Sequence, residues 1–148
     1  MLLLNSALIS TIISGIFSAI IYFFGVRQTK KEKLEAERNS IIKISIEYPY
    51  LEYPDFCNGW DKEKVNRKDS EAEKYIRYEA YSILLFNHLE DVCRYYKYDI
   101  ERIKRDHVDI KNWLRLHRKI WKSPLSGEHE NTDGYEKEFV SFVDEIVR

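Results

Sequence analysis

From Leu2 to Val26 the chain carries no ionisable side chain, and only Asn5 and small hydroxyl residues interrupt its apolar run. As a helix this stretch is about 37 Å long, enough to cross a hydrocarbon core of about 30 Å with some tilt. It is too long for a signal-peptide core, lacks a basic leading region, and has no small-x-small cleavage site before a polar start. The pattern predicts an uncleaved transmembrane helix over 1–26. Residues 27–47 contain neither Gly nor Pro and predict a helical stalk continuing the span, ended by Tyr48-Pro49. The aromatic stretch 48–60, with prolines at 49 and 54, reads as a packed connector. A second helix is expected over about 71–97, entered at Ser70 with Glu73 in the capping-box position. Its buried face is expected to hold Ile76, Ala80, Ile83, Leu84, Asn87 and Val92, with Tyr75 and Phe86 beside them. A third helix, about 100–122, is capped by Asp99 and packs through Ile103, Ile110, Leu114, His117 and Trp121. After a polar loop over 125–134, a last helix over 135–147 presents Tyr135, Phe139, Phe142, Val143 and Ile146. Only residues 43–48 approach strand alternation. The expected fold is all-α: a single N-terminal transmembrane helix (1–26), a juxtamembrane stalk (27–47) and a small helical bundle (48–148) that binds a ligand.

The span has an internal order. Ser6, Ser10, Ser14 and Ser18 recur every four residues, flanked by Ala7, Thr11, Gly15 and Ala19 at the same period. Two adjacent columns of small residues let another helix approach closely, which marks Ser6, Ser10, Gly15 and Ser18 as an oligomerisation face. The serine column also suits a water-lined path in an assembled bundle.

Charge sharpens this division. Across 148 residues there are 24 Lys+Arg and 25 Asp+Glu, yet none lies in the first 26 positions. Arg27, Lys30, Lys31 and Lys33 follow the span directly, so the positive-inside rule places the N-terminus outside and the remainder in the cytoplasm, and the expected location is the inner (cytoplasmic) membrane. Two cysteines, Cys57 and Cys93, make no disulfide framework and are expected to be reduced there. Beyond residue 26 the net charge alternates, +3 over 27–46, −5 over 47–93, +6 over 94–122 and −5 over 123–148. If 100–122 is one helix, Lys104, Lys111, Arg115, Arg118 and Lys122 share a narrow sector of it. Three partners suit such a stripe: the chain's own acidic helices, a ligand with several phosphates, or an anionic lipid leaflet. Tyr95, Tyr96, Tyr98, Trp113 and Trp121 lie nearby in sequence and could stack on bases. Duplex DNA is not an expected partner. There is no Gly-rich phosphate loop, nucleophile elbow, CxxC or His-Glu-x-x-His. His88 and Asp91 could share a face, but two ligands make no metal site. The sequence therefore leads to no catalytic residue, metal or cofactor, and the protein is expected not to be an enzyme.

The plan of one span, a basic flank and a helical domain rich in Tyr and Trp resembles a group of bacterial one-span membrane proteins. The resemblance runs through Pro49-Tyr50-Leu51…Phe56, then Leu89-Glu90-Asp91-Val92, Trp113…Trp121 and Tyr135…Phe139…Phe142-Val143. In size and architecture the chain also looks like the CRISPR-associated membrane effectors gated by cyclic oligoadenylate. That resemblance implies a homotetrameric cytoplasmic domain that binds cyclic tetra-adenylate and then perturbs or permeabilises the bilayer in antiviral defence. The competing expectation is a membrane-tethered adaptor whose helical domain binds a protein.

Overall fold

The computed structural model describes residues 2–61, 70–106, 109–121 and 131–148, and every regular element among them is helical. Helix α1, Leu2–Glu47, is unbroken, so 43–48 do not form a strand. It ends where expected: Tyr48, forced out of the helical region by Pro49, has φ −127° and ψ 72°. Among the described residues α1 is the helix long and apolar enough to cross a membrane. Every side chain from Ser10 to Lys30 is exposed. The chain divides into two compact units, Met1–Ala36 and Glu37–Arg148, so the last turns of α1 belong to the folded body.

In that second unit a 3-10 turn, Pro49–Glu52, leads to α2, Pro54–Asn58, each with proline in its first turn, where the missing N–H costs nothing. The long helix α3, Ser70–Tyr96, follows. Then come α4 (Ile100–Asp106), α5 (Ile110–Leu116) and α6 (Arg118–Trp121), a 3-10 turn (Asn131–Gly134) and α7 (Lys137–Val147). Helix α5 packs against α7, and α2 against both α5 and α6.

The core is aromatic. Trp121 is fully buried, with the rings of Phe86, Tyr135 and Phe139 4.8, 5.4 and 5.7 Å away, and its indole N–H donates to Asp144 at 3.1 Å. A second cluster stacks Phe56 on Tyr75 at 4.6 Å, with Tyr50 and Tyr78 edge-on. Aromatic rings decide which way α3 turns. Tyr75, Tyr78, Tyr81, Ser82, Leu85, Phe86, His88, Leu89, Val92, Cys93 and Tyr96 are buried. Ile76, Ala80, Ile83, Leu84 and Asn87 face outward, the reverse of the face expected from aliphatic spacing. Tyr75, Phe86 and Val92 are inside as expected. Rings of this size remove more area from water than the aliphatic side chains opposite.

The expected third helix is divided. Asp99 caps α4 through the Arg102 N–H, as the sequence suggested. Asp109 then caps a new helix: its carboxylate accepts from the Asn112 backbone at 3.2 Å and from the Asn112 amide at 2.7 Å. In the last helix Phe139 and Val143 are buried, while Tyr135, Phe142 and Ile146 are half-buried.

Helix α3 stops through a Schellman motif, Tyr98 N–H to Cys93 C=O and Lys97 N–H to Arg94 C=O. The motif requires positive φ at Lys97 (54°), and Tyr98 (60°) is also left-handed; side chains there cost about 1–2 kcal/mol each. Lys97→Gly is expected to raise stability by about 1 kcal/mol and Lys97→Val to lower it. Thermal melts of the two variants check this.

Candidate functional site

Helices α5 and α6 form a nearly continuous arm, bridged by His117, whose N–H bonds Trp113 C=O and whose C=O accepts from Trp121. Ile110, Leu114, His117, Ile120 and Trp121 point into the core. Arg115 and Arg118 are exposed on the other side, with Lys111 half-buried one turn before. These three cations keep the expected alignment. Lys104 does not belong to the same helix: it lies on α4, 3.9 Å from Glu101 of its own turn. Lys122 falls outside the described residues.

The intramolecular acidic partners go elsewhere. Glu136 at the start of α7 pairs with Arg94 at 2.9 Å, Arg94 also holds Asp91, and Arg102 pairs with Asp99. Lys119 donates to the Asn58 carbonyl at 2.8 Å. Among the described residues, Lys111, Arg115 and Arg118 have no side-chain ion pair or hydrogen bond. Among the described residues the row is therefore not one half of an internal salt bridge; Arg115 and Arg118 face solvent and Lys111 is half-buried. Its aromatic neighbours are fewer than the sequence suggested. Trp121 and Tyr96 are buried in the core, whereas Trp113, Tyr95 and Tyr98 keep part of their rings at the surface.

Directly beneath the arm lies a polar cluster that sequence reasoning missed. Tyr78 Oη is 2.9 Å from His117 Nδ1, and the other ring nitrogen is 3.5 Å from Glu52. Tyr81 donates to the same Glu52 carboxylate. Burial raises the Glu52 carboxyl, but the polar pull of His117, Tyr81 and Trp113 outweighs it and holds it below its ordinary value. Burial drives the Tyr78 and Tyr81 hydroxyls well up. The Tyr78 and Tyr81 hydroxyls are each satisfied within the cluster, whereas His117 Nε2 is buried with the Glu52 carboxylate near it but no hydrogen bond made. The signals were present in the Glu of the aromatic connector and in a His on a packing face, but only the fold brings them together.

Both cysteines are unbridged and buried. Cys57 donates to the Leu51 carbonyl at 3.2 Å, and burial raises the Cys57 and Cys93 thiols to about 11 and about 12. His88 is buried and faces Glu37 of α1 at 3.3 Å. Of the expected oligomerisation residues, Ser10, Gly15 and Ser18 are on the exposed surface of α1, and a Cβ added at Gly15 would meet nothing within 4 Å. The Ser6 side chain lies outside the described ones.

Two outcomes follow from the buried polar groups. Tyr81→Phe strips a donor from the half-buried Glu52 carboxylate and is expected to cost about 1 kcal/mol in chemical unfolding. Burial, against the pull of Glu37, also holds the His88 imidazole below its ordinary value. Below about pH 6.5 the unfolded chain takes up that proton before the folded one does, so stability falls as pH drops from 7 toward 5.5. His88→Gln flattens this slope, read from melting temperature against pH. No family model, curated protein or solved structure matches the chain.

Proposed function

We propose that this protein is a membrane effector of antiviral defence. Its helical body binds a cyclic oligoadenylate, in the first instance cyclic tetra-adenylate, and in response its membrane helices perturb or permeabilise the bilayer. The observation that carries the reading is the row Lys111, Arg115 and Arg118. These cations lie on one arm, Arg115 and Arg118 exposed and Lys111 half-buried, and without a side-chain partner among the described residues. Two arginines and a lysine at helical spacing suit several phosphates, with Arg forks gripping oxygens in pairs. Trp113, Tyr95 and Tyr98 supply partly exposed rings for bases. Lys104 and Lys122 are secondary contacts. The anchor is α1, whose small-residue face through Ser6, Ser10, Gly15 and Ser18 supports self-association, a tetramer by the resemblance above. The orientation puts the N-terminus outside and the body in the cytoplasm. No catalytic group, cofactor or metal is part of the proposal, and duplex DNA is not a partner.

Binding opens the assembly only if the ligand prefers the open arrangement, by about 1.4 kcal/mol for each tenfold shift in population. An adaptor function has one observation in its favour, the outward apolar residues of α3.

Titration calorimetry of the full chain in detergent against cyclic tri-, tetra- and hexa-adenylate tests the proposal. Saturable heat with one ring size is expected. Arg115→Glu with Arg118→Glu is expected to weaken binding by about ten- to a hundredfold, as loss of charged hydrogen bonds does, with helical circular dichroism unchanged. No heat at any ring size overturns the ligand assignment.

A further inference from the structure

The cationic row crosses a joint. Arg115 lies in the last turn of α5 and Arg118 is the first residue of α6. Between them His117 leaves helical geometry, with φ −97° and ψ 13°. Phosphates gripped by both arginines therefore pull on two helices at once, and any change in the angle between those helices turns His117.

The His117 side chain is fully buried but only half bonded. Its Nδ1 lies 2.9 Å from Tyr78 Oη, whereas Nε2 makes no hydrogen bond and lies 3.5 Å from Glu52 Oε1. Facing a carboxylate, Nε2 carries the ring proton, since a bare lone pair there would be repelled; Nδ1 then accepts from Tyr78. Tyr81 already donates to the same Oε1, which leaves that oxygen a second lone pair. A charge-assisted N–H···O bond closes at about 2.7–2.9 Å, so a movement of under an ångström completes it. An unmade bond from a buried N–H costs free energy, and closing it offsets part of the cost of moving the joint.

Glu52 is placed to pass that movement on. It ends the 3-10 turn Pro49–Glu52, which holds the fully buried Leu51 and follows directly on the end of α1. The Leu51 N–H bonds Tyr48 C=O at 3.0 Å and the Tyr48 N–H bonds Ile44 C=O at 2.8 Å, so the turn is tied to the last turn of α1. Pro49 and Pro54 fix φ on either side, which stiffens the connector. We propose that the Glu52–His117 contact is an open latch between the ligand row and the end of α1. A polyphosphate spanning Arg115 and Arg118 tilts the joint, His117 Nε2–H closes onto Glu52, and the connector carries the shift to residues 44–47. The latch rests on the row as the proposed ligand site and on phosphate, not on the rest of the nucleotide.

Nitrogen-15 NMR of the full chain in detergent, labelled at histidine, reads the latch from the His117 ring N–H signal. That signal is assigned by its proximity to the Tyr78 and Tyr81 rings, 5.6 and 5.9 Å away. Cyclic tetra-adenylate and inorganic tripolyphosphate are the two probes, with binding followed in parallel by calorimetry. On binding, the Nε2–H proton is expected to move downfield, as an N–H does when it closes onto a carboxylate. Glu52→Gln is expected to keep the heat and lose the shift, and Arg115→Glu with Arg118→Glu to lose both. Heat from either probe with an unmoved His117 signal in the unmodified chain overturns the latch and leaves the ligand site standing. A shift that persists without the two arginines also overturns it, since the row is then not its source. Heat and shift with tripolyphosphate alone uphold the latch and sink only the nucleotide. Silence from both probes removes the row as a phosphate site, and the latch with it.

Discussion

Helix α3 is apolar on two sides, and a body of this size can enclose only one of them. Every other helix of the second unit is short, so the 27 residues of α3 supply the surface on which the rest assemble. The side carrying Tyr75, Tyr78, Tyr81, Phe86 and Tyr96 is turned inward, and three large aliphatic residues are left at the surface. A fully buried aliphatic side chain stabilises by about 1.5–3 kcal/mol, so half-exposed ones forgo about 1 kcal/mol each. The buried rings outweigh that loss, since each removes about 150–250 Å² from water and adds edge-on contacts.

A core built from tyrosines carries a polar cost that an aliphatic one would not. Each buried hydroxyl needs a partner, and the partners come from far along the chain. Glu52 from the connector and His117 from the α5–α6 arm meet Tyr78 and Tyr81 in the interior. His88 meets Glu37 in the same way, tying the end of α1 to α3. Removing one member leaves the others desolvated without compensation, so these contacts fix one arrangement of helices more firmly than their number suggests.

What was legible in the sequence follows from this chemistry. Prolines marked the end of α1 and the connector correctly, because proline excludes conformations whatever surrounds it. The all-helical class and the apolar N-terminal helix were equally plain. The face of α3 was misread because aliphatic spacing was weighted over rings, and two competing apolar faces have the same period. The break before α5 was missed because no Gly or Pro marks it; the Asp109–Asn112 cap is a weaker local signal. Of the basic stripe, the Lys111–Arg115–Arg118 row kept its alignment, since consecutive turns of one arm preserve phase. Lys104 was lost with the helix break. The Glu52 cluster was not legible, because it joins residues 65 positions apart.

The misreading and the unpaired cations lead to one physical conclusion. Among the described residues, nothing covers the aliphatic face of α3 and nothing pairs the row on α5 and α6. The first costs hydrophobic free energy in water, and the second costs a few tenths of a kcal/mol for each like-charged pair. Both costs are small enough for a lone copy to carry and are relieved only by something outside it. An apolar face takes another protein surface; clustered guanidinium groups take phosphate or carboxylate. The last turns of α1 are held in that body by Glu37–His88, and the residue that follows them by Tyr48–Arg77. Any shift of α3 against its neighbours is therefore borne at the end of the apolar helix.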